Sequence, residues 1–201
     1  MDGFTIDDTQ GPSTQSPDVC CSTVSTFPGE PITAVMREEH IADLEDQIRE
    51  LVADEPKDFA KATILIYDVF RLRDEPEQAL EVARLLDLPA VVLFQVPPLV
   101  RAILEMGPTP TTATLDAALE RIDDLGHLVI MVLDGDTDAD IVRQLVDLSE
   151  AVRTPLQDPR RVETISAAAD RLTHHVNAFF FDRLTAIPEL RTYVVGLELG
   201  L

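Results

Sequence analysis

The segment 159–185 constrains the fold of this chain more than any other part of the sequence. Its apolar positions are separated alternately by three and four residues for about five helical turns, and they are Val162, Ile165, Ala169, Leu172, Val176 and Phe179. Such a period is typical of an amphipathic α-helix that packs one face on a core. Asp158 and Pro159, which lie at its beginning, favour the start of a helix. A helix of this length needs other apolar faces to cover it.

The rest of the chain from residue 31 offers those faces. Apolar residues at helical spacing recur in six further segments, 37–55, 55–73, 75–87, 98–106, 115–133 and 141–152. In the second and third of these, an aspartate (Asp54 or Asp74) precedes a Glu-Pro pair and is predicted to be the N-cap. We therefore predict a mainly α fold, a multi-helix bundle-like single domain that occupies residues 31–201.

Four segments also fit an α/β layer fold, because they are rich in β-branched or other apolar residues. The strands of this alternative lie near 63–70, 89–96, 127–133 and 193–199. A helical wheel of residues 55–73, however, divides into a charged stripe and an apolar stripe, and only Ile64 is misplaced. This division favours the helical prediction.

Residues 1–30 differ in composition from the rest of the chain. They contain no lysine or arginine and are rich in glycine, proline, serine, threonine and aspartate, so we predict a disordered acidic tail. The only cysteines, Cys20 and Cys21, lie in this segment, and adjacent cysteines do not build a disulfide framework. The first residues also lack the pattern of a secretory signal. Together these features predict a cytoplasmic protein.

The chain is strongly acidic. Its 201 residues include 37 acidic and 16 basic side chains, which give a formal net charge of −21, and Lys57 and Lys61 are its only lysines. A surface of this kind suits high salt, where screening removes the self-repulsion, so we predict a halophilic source. Direct contact with nucleic acid is not expected, because no segment carries the clustered basic residues that bind phosphates. The pair Arg160 and Arg161 is predicted to be a solvated first turn of a helix.

The longest apolar stretch is 88–104. It is interrupted by Gln95, Pro97, Pro98 and Arg101, and a stretch so interrupted is not expected to span a membrane. The sequence therefore predicts no membrane partner.

The segment 134–140, Asp-Gly-Asp-Thr-Asp-Ala-Asp, is the nearest that the sequence comes to a functional motif. Its four aspartates are candidate metal ligands, since they match positions 1, 3, 5 and 7 of an EF-hand loop, and they are Asp134, Asp136, Asp138 and Asp140. The glycine that this loop needs at position 6 is Ala139, and the glutamate at position 12 is Leu145. Both of the most demanding positions therefore depart from the motif.

A second interpretation of this segment is structural. Thr137 is followed three residues later by Asp140, just before an apolar stripe, which is the pattern of a capping box. Residues 132–136, Val-Leu-Asp-Gly-Asp, are in addition similar to the aspartate pair of haloacid-dehalogenase-like phosphotransferases. That resemblance implies one carboxylate as nucleophile and one as acid or base, although the family's Asp-x-Asp-x-Thr pattern is not kept because the threonine lies at 137. The sequence favours the capping box.

Our functional hypothesis is a non-enzymatic helical protein that acts through protein–protein contacts in a high-salt cytoplasm and needs no cofactor. The sequence holds no P-loop, G-x-G-x-x-G, H-E-x-x-H or G-x-S-x-G motif. The protein partner is not identified by the sequence, and a homodimer through the helix at 159–185 is one form of such contact. Phe181 would mark a docking patch if it were exposed. The alternative is an α/β enzyme or ligand-binding domain that uses Asp134 and Asp136 at the C-terminal end of a strand.

Overall fold

The computed structural model describes residues 34–53, 57–133 and 136–198, with the backbone alone for 136–138 and 198. The described residues form nine α-helices and no strand. They are α1 (Ala34–Ala53), α2 (Phe59–Leu72), α3 (Pro76–Leu85), α4 (Leu88–Leu93), α5 (Val96–Glu105), α6 (Thr112–Val132), α7 (Asp136–Arg153), α8 (Arg161–Ala186) and α9 (Pro188–Glu198). The predicted mainly α fold is confirmed, whereas the predicted tail 1–30 lies outside the described residues.

Helix α8 occupies the centre of the fold. It packs against α7, α9, α2 and α5, and it also touches α3. Its buried apolar side chains are Ile165, Ala168, Ala169, Leu172, Val176, Phe180 and Leu184. The predicted stripe is therefore confirmed in its middle but not at its ends, because Val162 is exposed and Phe179 is only half-buried. Since other helices of the same chain cover this face, α8 offers no apolar stripe to a second copy.

The predicted alternative of an α/β layer fold is wrong for the described residues. Residues 63–70 lie within α2, 89–96 in α4 and the start of α5, 127–132 at the end of α6, and 193–198 in α9. In the first three segments the apolar residue that disturbs the helical pattern is exposed, namely Ile64 by 40%, Val91 by 51% and Ile130 by 60%. Met131, in the third segment, is also exposed, by 71%, whereas the other apolar residues follow the helical period and are buried or half-buried.

Three helices, α2, α3 and α8, start later than the sequence predicts. Helix α8, predicted to begin at Pro159, begins at Arg161 with Arg160 as its N-cap. Helix α2 has Asp58 as its N-cap, whose side chain accepts a hydrogen bond from the Lys61 backbone N–H at 2.9 Å, while Asp54 lies outside the described residues. Helix α3 has Glu75 as its N-cap, with no side-chain hydrogen bond. The prediction for Asp74 is wrong, because this residue adopts φ 60° and belongs to the turn before the helix.

Residues Leu88–Glu105 are, within the described ranges, the one stretch long and apolar enough by composition to cross a membrane, with mean hydropathy 1.5. The fold divides this stretch into α4 and α5. Leu93 and Val96, on either side of the break, are completely buried. One such stretch is weak evidence for a membrane span, because the core helix of a soluble protein passes the same test of length and composition.

Candidate functional site

The acidic segment 134–140 leads directly into α7. The helix begins at Asp136, so Thr137 lies inside it and the prediction of Thr137 as N-cap is wrong. The side chain of Asp140 accepts a hydrogen bond from Arg143 at 2.8 Å, one turn further on. Asp134 lies outside the described residues, and the side chains of Asp136 and Asp138 are not described. The strand that the alternative enzyme requires before Asp134 is the end of helix α6.

A cavity of about 400 Å³ lies beside Asp140, between α7 and α8. His175, Asp182, Phe179 and Arg183 contribute to its lining. Nδ1 of His175 lies 2.9 Å from the backbone carbonyl of Arg171, and Asp140 is bonded to Arg143. No group of three or more metal-ligating side chains occurs in the part of the chain that the structure describes. Asp140, His175 and Arg183 thus each have a hydrogen-bond partner within the protein.

An ion pair between Arg183 and Asp87 joins the C-terminal half of α8 to the turn before α4. The shorter of its two hydrogen bonds is 2.5 Å, and Arg183 also donates to the carbonyl of Leu85 at 3.1 Å. Asp87 is the N-cap of α4 and accepts from the Ala90 backbone N–H at 3.2 Å. The hydrogen bond from Arg183 is the main reason why the pKa of Asp87 is lowered from its ordinary value. This pair fixes the position of α4.

Arg161 is buried rather than solvated, so the prediction for this residue is wrong. Only 2% of it is exposed. Its Nε donates to the carbonyl of Thr154 at 3.1 Å, and its terminal nitrogen donates to the carbonyl of Val152 at 3.3 Å. A cation at a helix C-terminus is favourable because the last carbonyls carry partial negative charge. Arg161 therefore joins the end of α7 to the start of α8.

Tyr193 links α9 to the first two helices. Its hydroxyl donates to Glu45 at 2.8 Å, and the same Glu45 oxygen accepts from Arg73 at 2.7 Å. Burial, together with the nearby Glu45 carboxylate, raises the pKa of the Tyr193 hydroxyl. Phe70 packs on the ring at a centroid distance of 5.2 Å. Tyr193, Glu45 and Arg73 thus form a tertiary contact that joins α9 to α1 and to the end of α2.

A groove lies between α6 and α7 on the surface and is here called the α6–α7 groove. Its volume is about 290 Å³. Six apolar residues and five polar residues line it, namely Ile122, Gly126, Ile130, Val142, Leu145 and Val146 together with Asp123, His127, Ser149, Glu150 and Arg153. Ile130 is 60% exposed and Val146 is 51% exposed. Met131, the residue after Ile130 on α6, is exposed by 71%.

A second open site lies between α3 and the start of α9. This acidic cleft has a volume of about 440 Å³ and is lined by Glu77, Gln78, Leu80, Glu81, Ile187, Glu189 and Leu190. Leu190 is completely buried and forms the floor, whereas Leu80 is 53% exposed. The site therefore combines apolar side chains with three carboxylates.

Phe181, the docking residue suggested by the sequence, is half-buried. Its ring meets that of Phe59 edge to face at a centroid distance of 5.0 Å, so it is part of the packing between α2 and α8. The exposed apolar residues that line open sites, Leu80, Ile130 and Val146, were not singled out from the sequence. A usable signal was present, because each lies off the buried stripe of its own helix.

No family model, no curated protein and no solved structure matches this chain.

Proposed function

We propose that this protein is a non-enzymatic binding protein that holds an amphipathic helix of a partner protein in the α6–α7 groove. The observation that carries the proposal is the exposure of Ile130 and Val146 on facing walls of one groove. Large exposed apolar groups that gather at one place mark interaction sites more often than single ones do. Helices that bind in grooves between helices are a common mode of peptide recognition.

The spacing of the lining residues suits a helical occupant. On α6, Ile122, Gly126 and Ile130 are each four residues apart, and on α7 the pair Val142 and Val146 has the same spacing. Rows of this kind form the ridges and grooves along which helices pack. A Cβ added at Gly126 would meet nothing within 4 Å, so the middle of the groove is open to a side chain of the partner.

The charge of the chain suits the same function. In a cytoplasm of high salt, which we infer from the net charge of −21, charges on the surface are screened within a few ångströms. Apolar contacts are not weakened in this way, and some salts strengthen them. A partner held mainly by apolar contact would therefore bind under conditions where a charged interface loses most of its attraction.

The test uses a photo-crosslinking residue in the full chain, placed at Val146 and, as a control, at Val162. Both valines are exposed to a similar degree, 51% and 56%, but only Val146 lines the groove. After irradiation in the source cells we expect one discrete product from position 146 and none from 162. The product should disappear with Ile130→Glu in the same chain, because a buried unpaired carboxylate opposes apolar contact.

Three outcomes contradict the proposal. Equal products from both positions would show unspecific contact, and no product from position 146 would show an empty groove. A product of twice the 22.2 kDa monomer mass would show that the occupant is a second copy of this chain. If a distinct partner is captured, calorimetry with the purified partner should give weaker binding for Ile130→Glu than for Val162→Glu.

A further inference from the structure

The acidic cleft has charges that the fold leaves unbalanced. Among the described residues Glu81 is paired with Arg84, one turn along α3, whereas Glu77 and Glu189 lie within ion-pair distance of no basic side chain. Their carboxylates stand over an apolar floor made by Leu190 and Ile187. A cationic side chain could place its aliphatic part on this floor and its charged end between the two carboxylates.

Acidic side chains also lie on the other side of Leu80. A hollow of about 300 Å³ there is lined by Tyr67, Ala79 and Ala83 and by the acidic residues Asp74 and Glu75. The one basic side chain in its lining, Arg71, lies 3.7 Å from Asp68. Leu80 contributes to both hollows and so forms an apolar ridge with carboxylates on each side.

The occupant cannot come from this chain on grounds of charge. Residues 1–36 contain no lysine or arginine, so the N-terminal segment brings no cation to the cleft. A second copy carries the same net charge of −21, and its longest run of basic residues is the pair Arg160 and Arg161. Its segment Arg71-Leu72-Arg73 has arginines on both sides of a leucine, but Leu72 packs against the core and Arg73 is paired with Glu45 at 2.7 Å. Arg161 is buried in the α7–α8 junction. Complementary charge must be supplied by another molecule.

We propose that the acidic cleft is a second binding site, which takes a segment of a partner protein with arginine or lysine on both sides of an apolar residue. The apolar residue packs against Leu80, and the flanking cations contact Glu77 and Glu189 on one side and Asp74 and Glu75 on the other. Direct hydrogen-bonded ion pairs of this kind have short contact distances, and the apolar anchor adds a contact that salt does not screen.

The test measures binding of the full chain to labelled synthetic peptides by fluorescence anisotropy. The probes are a peptide of about twelve residues built from arginine and leucine, a peptide in which serine replaces every leucine, and spermine as an unlabelled competitor. We expect the arginine–leucine peptide to bind, the arginine–serine peptide to bind at least about tenfold more weakly, and spermine to compete poorly.

Variants then locate the site. Leu80→Ala should weaken binding by about tenfold at any salt concentration. The double variant Glu77→Gln/Glu189→Gln should weaken it by about fivefold at low salt and by less in roughly 1 M salt, because screening already reduces the contribution of these charges. The matched controls are Leu104→Ala on α5 and Glu39→Gln/Glu105→Gln, which change exposed residues elsewhere. They should stay within about twofold of the unchanged chain.

Several results would overturn the proposal. Equal losses in the two double variants would mean that the peptide is attracted to the acidic surface as a whole. Equal binding of the arginine–serine peptide would remove the apolar anchor, and strong competition by spermine would point to a small polycation. Absence of binding by all three probes would also refute it. Because Leu80 is 53% exposed, its variant is expected to fold, which an unchanged thermal midpoint would verify.

Discussion

Helices α6 and α8 are both long and rich in apolar residues, but the fold uses them differently. Beyond its first turn, α8 has its large apolar side chains buried or half-buried, because α2, α5 and α7 surround it. Helix α6 buries Ile122, Leu125 and Val129, yet it leaves Ile130 and Met131 exposed by 60% and 71%. The apolar residues of α8 are accounted for by the stability of the fold. Those at the end of α6 exceed what the fold needs, which is why we assign them to a partner.

The largest expected effect on the free energy of unfolding comes from truncating one large apolar side chain on each of the two helices. Phe180 of α8 is 1% exposed and stacks on Phe94 at a centroid distance of 5.0 Å. Phe180→Ala should therefore lower the free energy of unfolding by about 3–5 kcal/mol, through lost burial and the cavity left behind. Met131→Ala on α6 should change it by no more than about 0.5 kcal/mol.

Urea unfolding at fixed salt, followed by circular dichroism, measures both free energies. A loss above about 2 kcal/mol for Met131→Ala would show that the end of α6 supports the fold. The comparison between the helices, and with it the assignment of α6 to a partner, would then fail.

Much of the fold could be predicted from local sequence patterns, and the errors of that prediction have identifiable causes. The middle of the α8 stripe was predicted, because a period of 3.6 residues needs no tertiary information. The strand-like segments 63–70 and 127–133 were ambiguous because each carries apolar residues that the fold leaves exposed, Ile64 in the first and Ile130 and Met131 in the second. Apolar residues outside the core stripe make the apolar run continuous, and a continuous apolar run is also the pattern of a buried strand.

Other features depend on which elements meet in space. Burial of Arg161 requires that the end of α7 lies against the start of α8, and no local pattern reports this. The N-cap of α3 was misplaced because Asp74 adopts φ 60°, a conformation that aspartate tolerates more readily than most residues. The two open sites were missed for the same reason as Arg161, since each lies between helices whose neighbourhood is set by tertiary packing.

Ion pairs provide a second comparison between α8 and α6. Their expected effect on the free energy of unfolding is smaller. Helix α8 is joined to other helices or turns by Arg183–Asp87 and Arg171–Asp147, while within the described residues no ion pair joins α6 to another helix. Asp87→Asn keeps an oxygen that can cap α4 but loses the charge, so it should cost up to about 1 kcal/mol at pH 7. Asp87→Ala also loses the cap and should cost about 1 kcal/mol more.

The pH dependence follows from the lowered pKa of Asp87. Because the folded protein holds this carboxylate ionised more strongly than the unfolded chain does, its contribution is fully present above the ordinary aspartate pKa of about 3.9. It is lost as the pH falls below that value towards the lowered folded pKa. The difference between the unchanged chain and Asp87→Asn in urea unfolding should therefore be constant from about pH 7 to 5 and shrink below about pH 4.

The control is Asp68→Asn, since Asp68 lies 3.7 Å from Arg71 on the same helix in a more exposed pair. It should show almost no change at any of these pH values. A difference for Asp87→Asn that persists undiminished well below pH 3 would mean that it arises from packing rather than from charge.

The smallest expected effect on the free energy of unfolding comes from replacing a glycine within α6. The presence of a glycine there is not explained by the stability of the helix. Gly126 lies within this 21-residue helix, where glycine costs about 0.5–1 kcal/mol relative to alanine. A Cβ there meets nothing within 4 Å, and the same is true of Gly196 in α9. Both Gly126→Ala and Gly196→Ala should therefore raise the free energy of unfolding, Gly196→Ala by the smaller amount because it lies near a helix end.

The two variants differ in function if the α6–α7 groove holds a partner helix. Only Gly126 lies in that groove, so Gly126→Ala fills space that the partner would occupy, whereas Gly196→Ala leaves the groove unchanged. We expect Gly126→Ala to reduce the crosslinked product from position 146 while it stabilises the free protein, and Gly196→Ala to leave that product unaltered. Equal products from both variants would show that the glycine leaves no space that a partner uses. A reduced product from a more stable protein cannot be attributed to misfolding, and for that reason this small change separates binding from stability more cleanly than a charge placed in the groove.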